Sequence, residues 1–146
     1  MATGDYIVPL DAGRWNACKK AITYAAGTTG ATSAKTIFTV TGLVRVRLFA
    51  KVITDLTSGG SATVEVGTAK NTAGLIAQTA FSTLDADEIW HDATPDASVE
   101  LDSVVTMRLV CQDIKELIAT ATVTGGSLEY SVLWQPVSAD GNVVAA

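Results

Sequence analysis

Apolar and polar residues alternate most clearly along residues 44–52, where every even-numbered position is valine, leucine or alanine. Arg45, Arg47 and Lys51 occupy positions between them. A period of two places the two sets on opposite faces of an extended strand, whereas at helical spacing the three basic residues would not share a face. The pattern therefore predicts a half-buried β-strand with its apolar face in the core.

Glycine-containing turn signals separate this stretch from others with similar alternation. The turn signal at residues 57–60 predicts a hairpin between residues 43–54 and 61–68. A second turn signal, at 71–74, precedes a predicted strand at 75–81. Short antiparallel strands that pair with their neighbours in sequence are therefore expected here.

The C-terminal half repeats this organisation. Gly125-Gly126 predicts a second hairpin, between residues 117–124 and 127–137. Residues 104–111 are mostly apolar, which predicts a central strand covered on both faces.

Two segments allow more than one interpretation. Asp11 could cap a helix that carries Trp15, Cys18 and Ile22 at spacings of three and four. An internal glycine and an asparagine weaken this helix, so we favour an extended arm that leads into a strand. Residues 113–118 are compatible with a helical turn as well as with a strand.

The strands and turns together predict an all-β fold. About eight strands with frequent turns indicate a single-domain β-sandwich or jelly-roll-like barrel. We expect an N-terminal arm at residues 1–17, a β domain at 18–137 and a C-terminal tail at 138–146.

Composition narrows the class of protein. The chain has 146 residues, enough for one domain with a core of its own. Only 17% of the residues are charged, below the usual ~25% of globular domains, and 48% are hydrophobic. A weakly charged surface on a small domain is typical of a subunit that contacts neighbours.

Charge and hydropathy argue against two kinds of partner. The net charge is -5 and the basic residues are scattered, whereas nucleic-acid binding depends on clustered Lys and Arg. No apolar run approaches the ~18 residues of a membrane span, and the N-terminus lacks the pattern of a secretory signal. We expect synthesis and folding in a cytosol, where Cys18 and Cys111 would be free, buried thiols.

The residues needed for catalysis do not form a recognisable set. His91 is the single histidine, and its neighbour Asp92 would point to the opposite face if both lay on a strand. Neither cysteine lies in a nucleophile motif, and one histidine with two cysteines does not complete a four-ligand zinc site. We therefore expect no enzyme activity, no catalytic residue, no cofactor and no metal site, and interpret His91 as a surface or interface residue.

One acidic stretch keeps a further alternative open. Residues 85–102 contain seven carboxylates and no Lys or Arg. Hard cations bind in loops of this kind, but the spacing is not that of an EF-hand, so a solvated loop or a face for a basic partner is favoured. Trp90 lies in this stretch and is a candidate contact residue, because tryptophan is enriched at interface hot spots; an exposed Trp could also stack on a sugar ring.

Four longer stretches carry a resemblance to a known family. The chain resembles the small head-associated structural proteins of tailed bacteriophages that decorate or cement capsids, from about Ile22 onward. The stretches that carry the resemblance are IFTVTG running into LVRV at 37–46; VEVG at 64–67 with NTAGLIAQT at 71–79; EIWHDATPDA at 88–97; and YSVLWQPVSADG at 130–141.

This resemblance implies a protein on the outside of a phage capsid, commonly trimeric, that ties neighbouring major capsid proteins together. The alternatives are another virion component, such as a head fibre base or tail protein, and a carbohydrate- or receptor-binding β-sandwich. We expect the apolar arm to pack on a neighbouring subunit or to cover its own sheet edge. The candidate partner-contact residues are Tyr6, Ile7, Val8, Leu10, Trp15, Trp90 and His91.

Overall fold

The computed structural model describes residues 14–95 and 97–146, which form ten β-strands. Two short 3₁₀ turns, Phe81–Thr83 and Asp102–Val104, interrupt the connections. The strands are β1 (Asn16–Thr23), β2 (Ala34–Thr41), β3 (Val44–Ser58), β4 (Thr63–Gly67), β5 (Ile76–Ala80), β6 (Ile89–Trp90), β7 (Met107–Val110), β8 (Ile114–Ala119), β9 (Val123–Pro136) and β10 (Asn142–Ala145).

The strands build two antiparallel sheets that pack face to face. In sheet 1 the order is β1-β9-β3, and the free edge of β3 is shared by β7 and β6. In sheet 2 the order is β10-β2-β8-β4-β5. The prediction of an all-β sandwich is confirmed. The sheets do not close into a barrel, and the strands number ten rather than eight.

Strands that follow each other in sequence mostly lie in different sheets. Within the described residues, only the β4–β5 and β6–β7 connections stay in one sheet. Both predicted hairpins are therefore wrong: β3 pairs with β9 and β4 pairs with β8, so the turns at 57–60 and 120–122 are crossovers between sheets. A turn signal marks where the chain reverses, but it does not determine which strand the next one pairs with.

Three further predictions differ from the structure, which also decides between the interpretations that the sequence left open for two segments. Residues 107–110 form a short edge strand with Met107 and Leu109 exposed, not a covered central strand. The possible helical turn at 113–118 is strand β8, and the expected C-terminal tail contains β10, which pairs with β2. Strand β1 excludes the helical interpretation for its own residues, and its start at Asn16 places the beginning of the β domain two residues before the expected boundary.

The two cysteines agree with the sequence analysis in one respect. Cys18 and Cys111 are both free thiols, as predicted. Cys18 is partly buried and packs against the core, whereas Cys111 is exposed rather than buried because it follows the edge strand β7.

The core lies between the sheets and follows the predicted alternation. The apolar residues at the even-numbered positions 44–52 of β3 are at most 4% exposed, so the orientation of this strand is as predicted. Tyr130 and Leu128 of β9 face the same interior, against Ile114 and Ile118 of β8 from the opposite sheet. Burial of these side chains stabilises the sandwich by roughly 1.5–3 kcal/mol for each large residue.

A buried hydrogen bond also connects the two sheets. The indole Nε1 of Trp90, in β6, donates to the Thr79 hydroxyl in β5 at 2.9 Å. Trp90 is fully buried and Thr79 is 2% exposed, so water does not compete with this bond. The Trp90 ring also packs against Tyr130 with a centroid distance of 6.0 Å.

Gly126 is required inside β9, where the sequence pattern predicts a turn. Its φ is +97°, and β9 continues through it while the register with β3 shifts between Thr54 and Thr57. A Cβ at this position would lie 2.4 Å from the backbone oxygen of Asp55. Only glycine combines this backbone conformation with such a close approach.

We expect Gly126→Ala to lower the free energy of unfolding by about 2 kcal/mol or more, from backbone strain together with the steric clash. Gly59→Ala is the matched control, because its Cβ would have no neighbour closer than 3.9 Å, and it should change stability by less than about 0.5 kcal/mol. Urea denaturation measures both. Equal stabilities of the two variants would contradict this account.

We expect Thr79→Val to destabilise the protein by about 1–3 kcal/mol, because it leaves the buried Trp90 N–H without an acceptor. In a Trp90→Phe background the same substitution should cost less, since no indole N–H is orphaned. A double-mutant cycle measured by chemical denaturation tests this. An identical cost in both backgrounds would show that the bond does not contribute.

Candidate docking surface

Most of the predicted arm cannot be placed. Tyr6, Ile7, Val8 and Leu10 lie outside the described residues. Trp15 is described, and it immediately precedes β1 at the edge of sheet 1. The structural basis of a docking surface must therefore come from Trp15 and from the sheet beside it.

Trp15 lies over the solvent-facing side of sheet 1. Its ring is 5.6 Å from the guanidinium carbon of Arg47, two strands away in β3. The Nη1 of Arg47 also donates to Asp102 Oδ2 at 2.7 Å. The ring and the carboxylate thus hold the guanidinium against the sheet, in a contact of the cation–π type that is worth about 0.5–1 kcal/mol at exposed sites.

Pairing registers show which residues share this outer face of sheet 1. Partners opposite each other in antiparallel strands lie on the same face. Arg47 is opposite Leu133 of β9 and Met107 of β7, while Ala17 of β1 is opposite Leu133. In the same way, Arg45 is opposite Leu109. Phe49 of β3 shares this face, so apolar side chains extend across β1, β9, β3 and β7 on the side turned away from the core.

The outer face of sheet 1 is also basic within an acidic protein. Four of the ten basic residues of the chain lie on it, namely Lys19, Arg45, Arg47 and Lys51, whereas Glu129 is the one acidic residue in these strand positions. Lys19 pairs with Glu129 at 2.8 Å and Lys51 with Asp87 at 3.3 Å. Among the described residues, Arg45 has no ion-pair partner.

The segment that leads into β7 enlarges the apolar area. Five of the nine exposed large hydrophobic residues fall between positions 99 and 109. The two most exposed are Val99, at 83%, and Leu101, at 71%. Leu101 and Phe49 line a depression of about 190 Å³, with Glu100 and Asp102 also in its lining. Contiguous exposed apolar surface of this kind marks interaction sites on soluble proteins.

Trp90 does not contribute to this surface. It is 0% exposed and is a member of the core, so the expectation of an exposed contact residue was wrong. The polar residues around Trp90 suggested an exposed position. However, β6 is only two residues long, and Trp90 is its inward-facing residue.

His91 lies directly after β6, between two carboxylates. Its Nδ1 is 3.3 Å from Asp92 Oδ2 and its Nε2 is 3.6 Å from Glu100 Oε1. The side chains of His91 and Asp92 can meet because β6 ends at Trp90 and neither residue lies on the strand. The expectation that adjacent strand residues point to opposite faces therefore does not apply to them. Since both ring nitrogens face acids, neither is directed at a nucleophile as in a hydrolytic triad.

The surroundings of His91 form a shallow polar site. The side chain is 9% exposed and lines a depression of about 260 Å³ together with Asp92 and Arg108. The pKa of the Asp92 carboxyl is lowered, first because the backbone N–H of Thr94 donates to it at 2.8 Å. His91 is thus held within its own chain more than it is presented to a partner.

The acidic stretch is dispersed by the fold. Asp87 pairs with Lys51, Asp102 with Arg47, and Asp92 and Glu100 flank His91. Among residues 14–95 and 97–146, no three His, Cys, Asp or Glu side chains are arranged to hold a metal ion. The described part of the chain also contains no helix of the length and hydropathy needed to cross a bilayer.

The most strongly perturbed titratable groups lie inside the sandwich. The hydroxyls of Tyr24 and Tyr130 both donate to Glu116 Oε2, the latter at 2.6 Å. Glu116 Oε1 has no hydrogen-bond partner among the described residues. Burial raises the pKa of the Glu116 carboxyl, and the two tyrosines and Lys35 oppose this shift only in part.

This Tyr–Glu–Tyr cluster is structural in its geometry. All three residues are at most 3% exposed, so a substrate cannot reach them without opening the sandwich. Glu116 belongs to sheet 2 and Tyr130 to sheet 1, so the cluster links the two layers as the Trp90–Thr79 bond does. Sequence reasoning did not find it, because three residues separated along the chain carry no local motif.

Comparison of the chain with models of known protein families, with curated proteins and with solved structures finds no match.

The Glu116 cluster predicts a pH dependence of stability. Because the pKa of Glu116 is raised above its ordinary 4.5, the folded chain binds this proton more tightly than the unfolded chain does. The contribution to stability is fully present below pH 4.5 and is lost as the pH rises through the pKa of the folded state. The free energy of unfolding of the wild type, relative to Glu116→Gln, should therefore fall with rising pH.

Chemical denaturation of both proteins between pH 4 and pH 8 measures this difference. Glutamine keeps an acceptor for both tyrosine hydroxyls and does not titrate, so other groups contribute equally to the two curves. Parallel curves would contradict a raised pKa for Glu116.

Proposed function

We propose that this chain is a viral structural protein that binds the outside of an assembled phage capsid and stabilises it. The observation that carries the proposal is the outer face of sheet 1, an exposed sheet surface with apolar residues from four strands. The resemblance of residues 37–46, 64–79, 88–97 and 130–141 to head-associated phage proteins agrees with this proposal.

The arrangement of the polar residues supports a binding role over a catalytic one. The groups that could carry chemistry, His91 and Glu116, are engaged by other residues of the same chain. The apolar groups on sheet 1, in contrast, have free surface to bury. This geometry therefore favours a binding function, without enzyme activity and without a cofactor.

The mechanism is an energetic linkage between binding and assembly. A protein that binds the closed lattice but not free capsid subunits shifts the equilibrium towards the shell. An interface of roughly 800 Å² per partner is enough for a stable contact. In a trimer the three copies would bind the capsid at the same time, which increases the overall affinity by avidity. The partner would be the major capsid protein, and the protein would reside on the virion exterior.

The acidic balance of the chain is consistent with this location. A net charge of -5 disfavours contact with packaged nucleic acid and favours the outer surface of a shell. The carbohydrate-binding alternative loses the residue on which it rested, because Trp90 is buried and does not present a ring to a sugar.

The test uses empty shells assembled from the major capsid protein encoded in the same genome. We expect the purified protein to cosediment with these shells, to appear as added density on their outer surface in electron micrographs and to raise their melting temperature. Unassembled capsid subunits are the control and should bind weakly. Absence of cosedimentation, or equal binding to subunits and shells, would refute the proposal.

A further inference from the structure

We propose that Lys35 and Glu116 form a pH-sensitive switch for the loop between β1 and β2, residues 24–33. The Lys35 ammonium group binds this loop while the Glu116 carboxyl is neutral, and it moves to Glu116 when the carboxyl ionises. The loop is therefore held at low pH and released at higher pH. The switch does not depend on the proposed function, because none of its residues lies on the outer face of sheet 1.

Both ends of the loop approach the same carboxyl group. Tyr24, the first residue of the loop, donates its hydroxyl to Glu116 Oε2. Lys35, the second residue of β2, lies directly opposite Glu116 of β8 in the pairing register. Residues opposite each other in antiparallel strands share a face, with their Cβ atoms roughly 4.5–5.5 Å apart. A change at Glu116 can therefore act on the start and on the end of the loop.

Glu116 has one carboxyl oxygen that no donor uses. Its Oε2 accepts both tyrosine hydroxyls, whereas the buried Oε1 has no hydrogen-bond partner. The carbonyl oxygen of a neutral carboxyl has two lone pairs, so a single oxygen that accepts two hydroxyls agrees with the protonated form. An ionised carboxyl would leave a buried negative oxygen without a donor, which is costly.

Lys35 is the cation available to an ionised Glu116. In the described part of the chain, the titratable groups that act on this carboxyl are Tyr24, Tyr130 and Lys35. Strand β4 places Val66 opposite Glu116, and the inward-facing residues of β3 at positions 44–52 are apolar. Neither strand therefore adds a charge that could replace the lysine.

The ammonium group of Lys35 now binds the loop instead. Its Nζ donates to the backbone oxygen of Ala31 at 2.8 Å. The lysine stem is flexible along its four carbons, so the ammonium group can exchange acceptors without a change in the backbone. A carboxylate is a stronger acceptor than a neutral carbonyl. The two groups are also coupled in their titration, because burial lowers the pKa of Lys35 and negative charge on Glu116 raises it.

Ionisation of Glu116 would replace one hydrogen bond by another. The proton of the carboxyl passes to water, and Lys35 Nζ moves from the Ala31 oxygen to Glu116 Oε1. The Ala31 oxygen is then left with the Ser33 hydroxyl, at 3.4 Å. Beside it, the N–H of Val123 in β9 donates to the Gly30 oxygen at 2.9 Å. We expect this bond between the loop and β9 to open more often once Lys35 has left.

The direction of the pH effect follows from the buried carboxyl. The pKa of Glu116 is raised above 4.5, first because of burial, so the neutral form persists above pH 4.5 in the folded chain. The loop is held in that range, and it is released as the pH rises through the pKa of Glu116 in the folded state.

The test is amide hydrogen exchange of the full chain between pH 4 and pH 8, followed by NMR and corrected for the intrinsic pH dependence of exchange. The Val123 amide reports on the loop. Its protection should fall about tenfold or more as Glu116 ionises, as expected when a loop loses a hydrogen bond to a charged group. The amide of Val132, in the centre of β9, should remain more strongly protected, because it opens only with the whole sandwich.

Three variants separate the switch from other effects of pH. Glu116→Gln does not ionise and keeps an acceptor for the tyrosines, so Val123 should stay protected at every pH. Lys35→Met removes the ammonium group at a partly exposed position, so Val123 should be weakly protected at every pH. Lys115→Met is the matched control. Lys115 is adjacent to Glu116 on β8 and therefore lies on the opposite face of the sheet, so this variant should behave like the wild type.

A titration of the Glu116 carboxyl, followed by its ¹³C chemical shift, tests the contact directly. In Lys35→Met the carboxyl should titrate at a higher pH than in the wild type, because the ionised form has lost its cation. An unchanged titration would show that Lys35 does not bind the ionised carboxyl. The switch would also be refuted by Val123 protection that is independent of pH in the wild type, or by the same pH dependence in Lys35→Met as in the wild type. An effect of Lys115→Met equal to that of Lys35→Met would show that the response is not specific to Lys35.

Discussion

The long antiparallel pairing of β3 with β9 is the interaction on which the rest of the structure depends. The two strands remain in register from Val44 opposite Pro136 to Val52 opposite Leu128, and continue with shifts to Ser58 opposite Val123. One side of this ribbon supplies the core of sheet 1, and the other side supplies the centre of the outer face. The same backbone hydrogen bonds therefore position both the stabilising and the candidate functional side chains.

Two buried polar contacts restrict how the second sheet can pack on this ribbon. Tyr130 of β9 donates to Glu116 of β8, and Trp90 of β6 donates to Thr79 of β5. Apolar packing alone tolerates small shifts of one sheet against the other, whereas a buried donor without an acceptor costs about 1–3 kcal/mol. These contacts favour a single alignment of the layers.

The two faces of sheet 1 differ in whether another part of the chain covers them. The even-numbered residues of β3 from Val44 to Val52 are covered by sheet 2, but Arg45, Met107, Leu109 and Leu133 face outward. Apolar groups on an otherwise weakly charged domain gain free energy by contact with another molecule. The proposed role as one part of a larger assembly is based on this surface and not on a titratable group.

The sequence by itself determined that the fold is all-β and which way β3 faces. Alternation at 44–52 predicted which side of β3 is buried, since the side-chain period of a strand is fixed by backbone geometry. The sequence also predicted that Cys18 and Cys111 are free thiols. Trp15 was identified from the sequence as a candidate contact residue, and it is exposed beside the outer face of sheet 1.

The tertiary structure alone decided which strands pair and which groups meet. The sequence wrongly paired residues 43–54 with 61–68 and placed Trp90 on the surface. It did not detect the Tyr24–Glu116–Tyr130 cluster or the outer face that Leu109, Arg45 and Leu133 share. Local patterns record the conformation of a few neighbouring residues, whereas these features depend on contacts between residues far apart in sequence, which are settled only when the two sheets pack together.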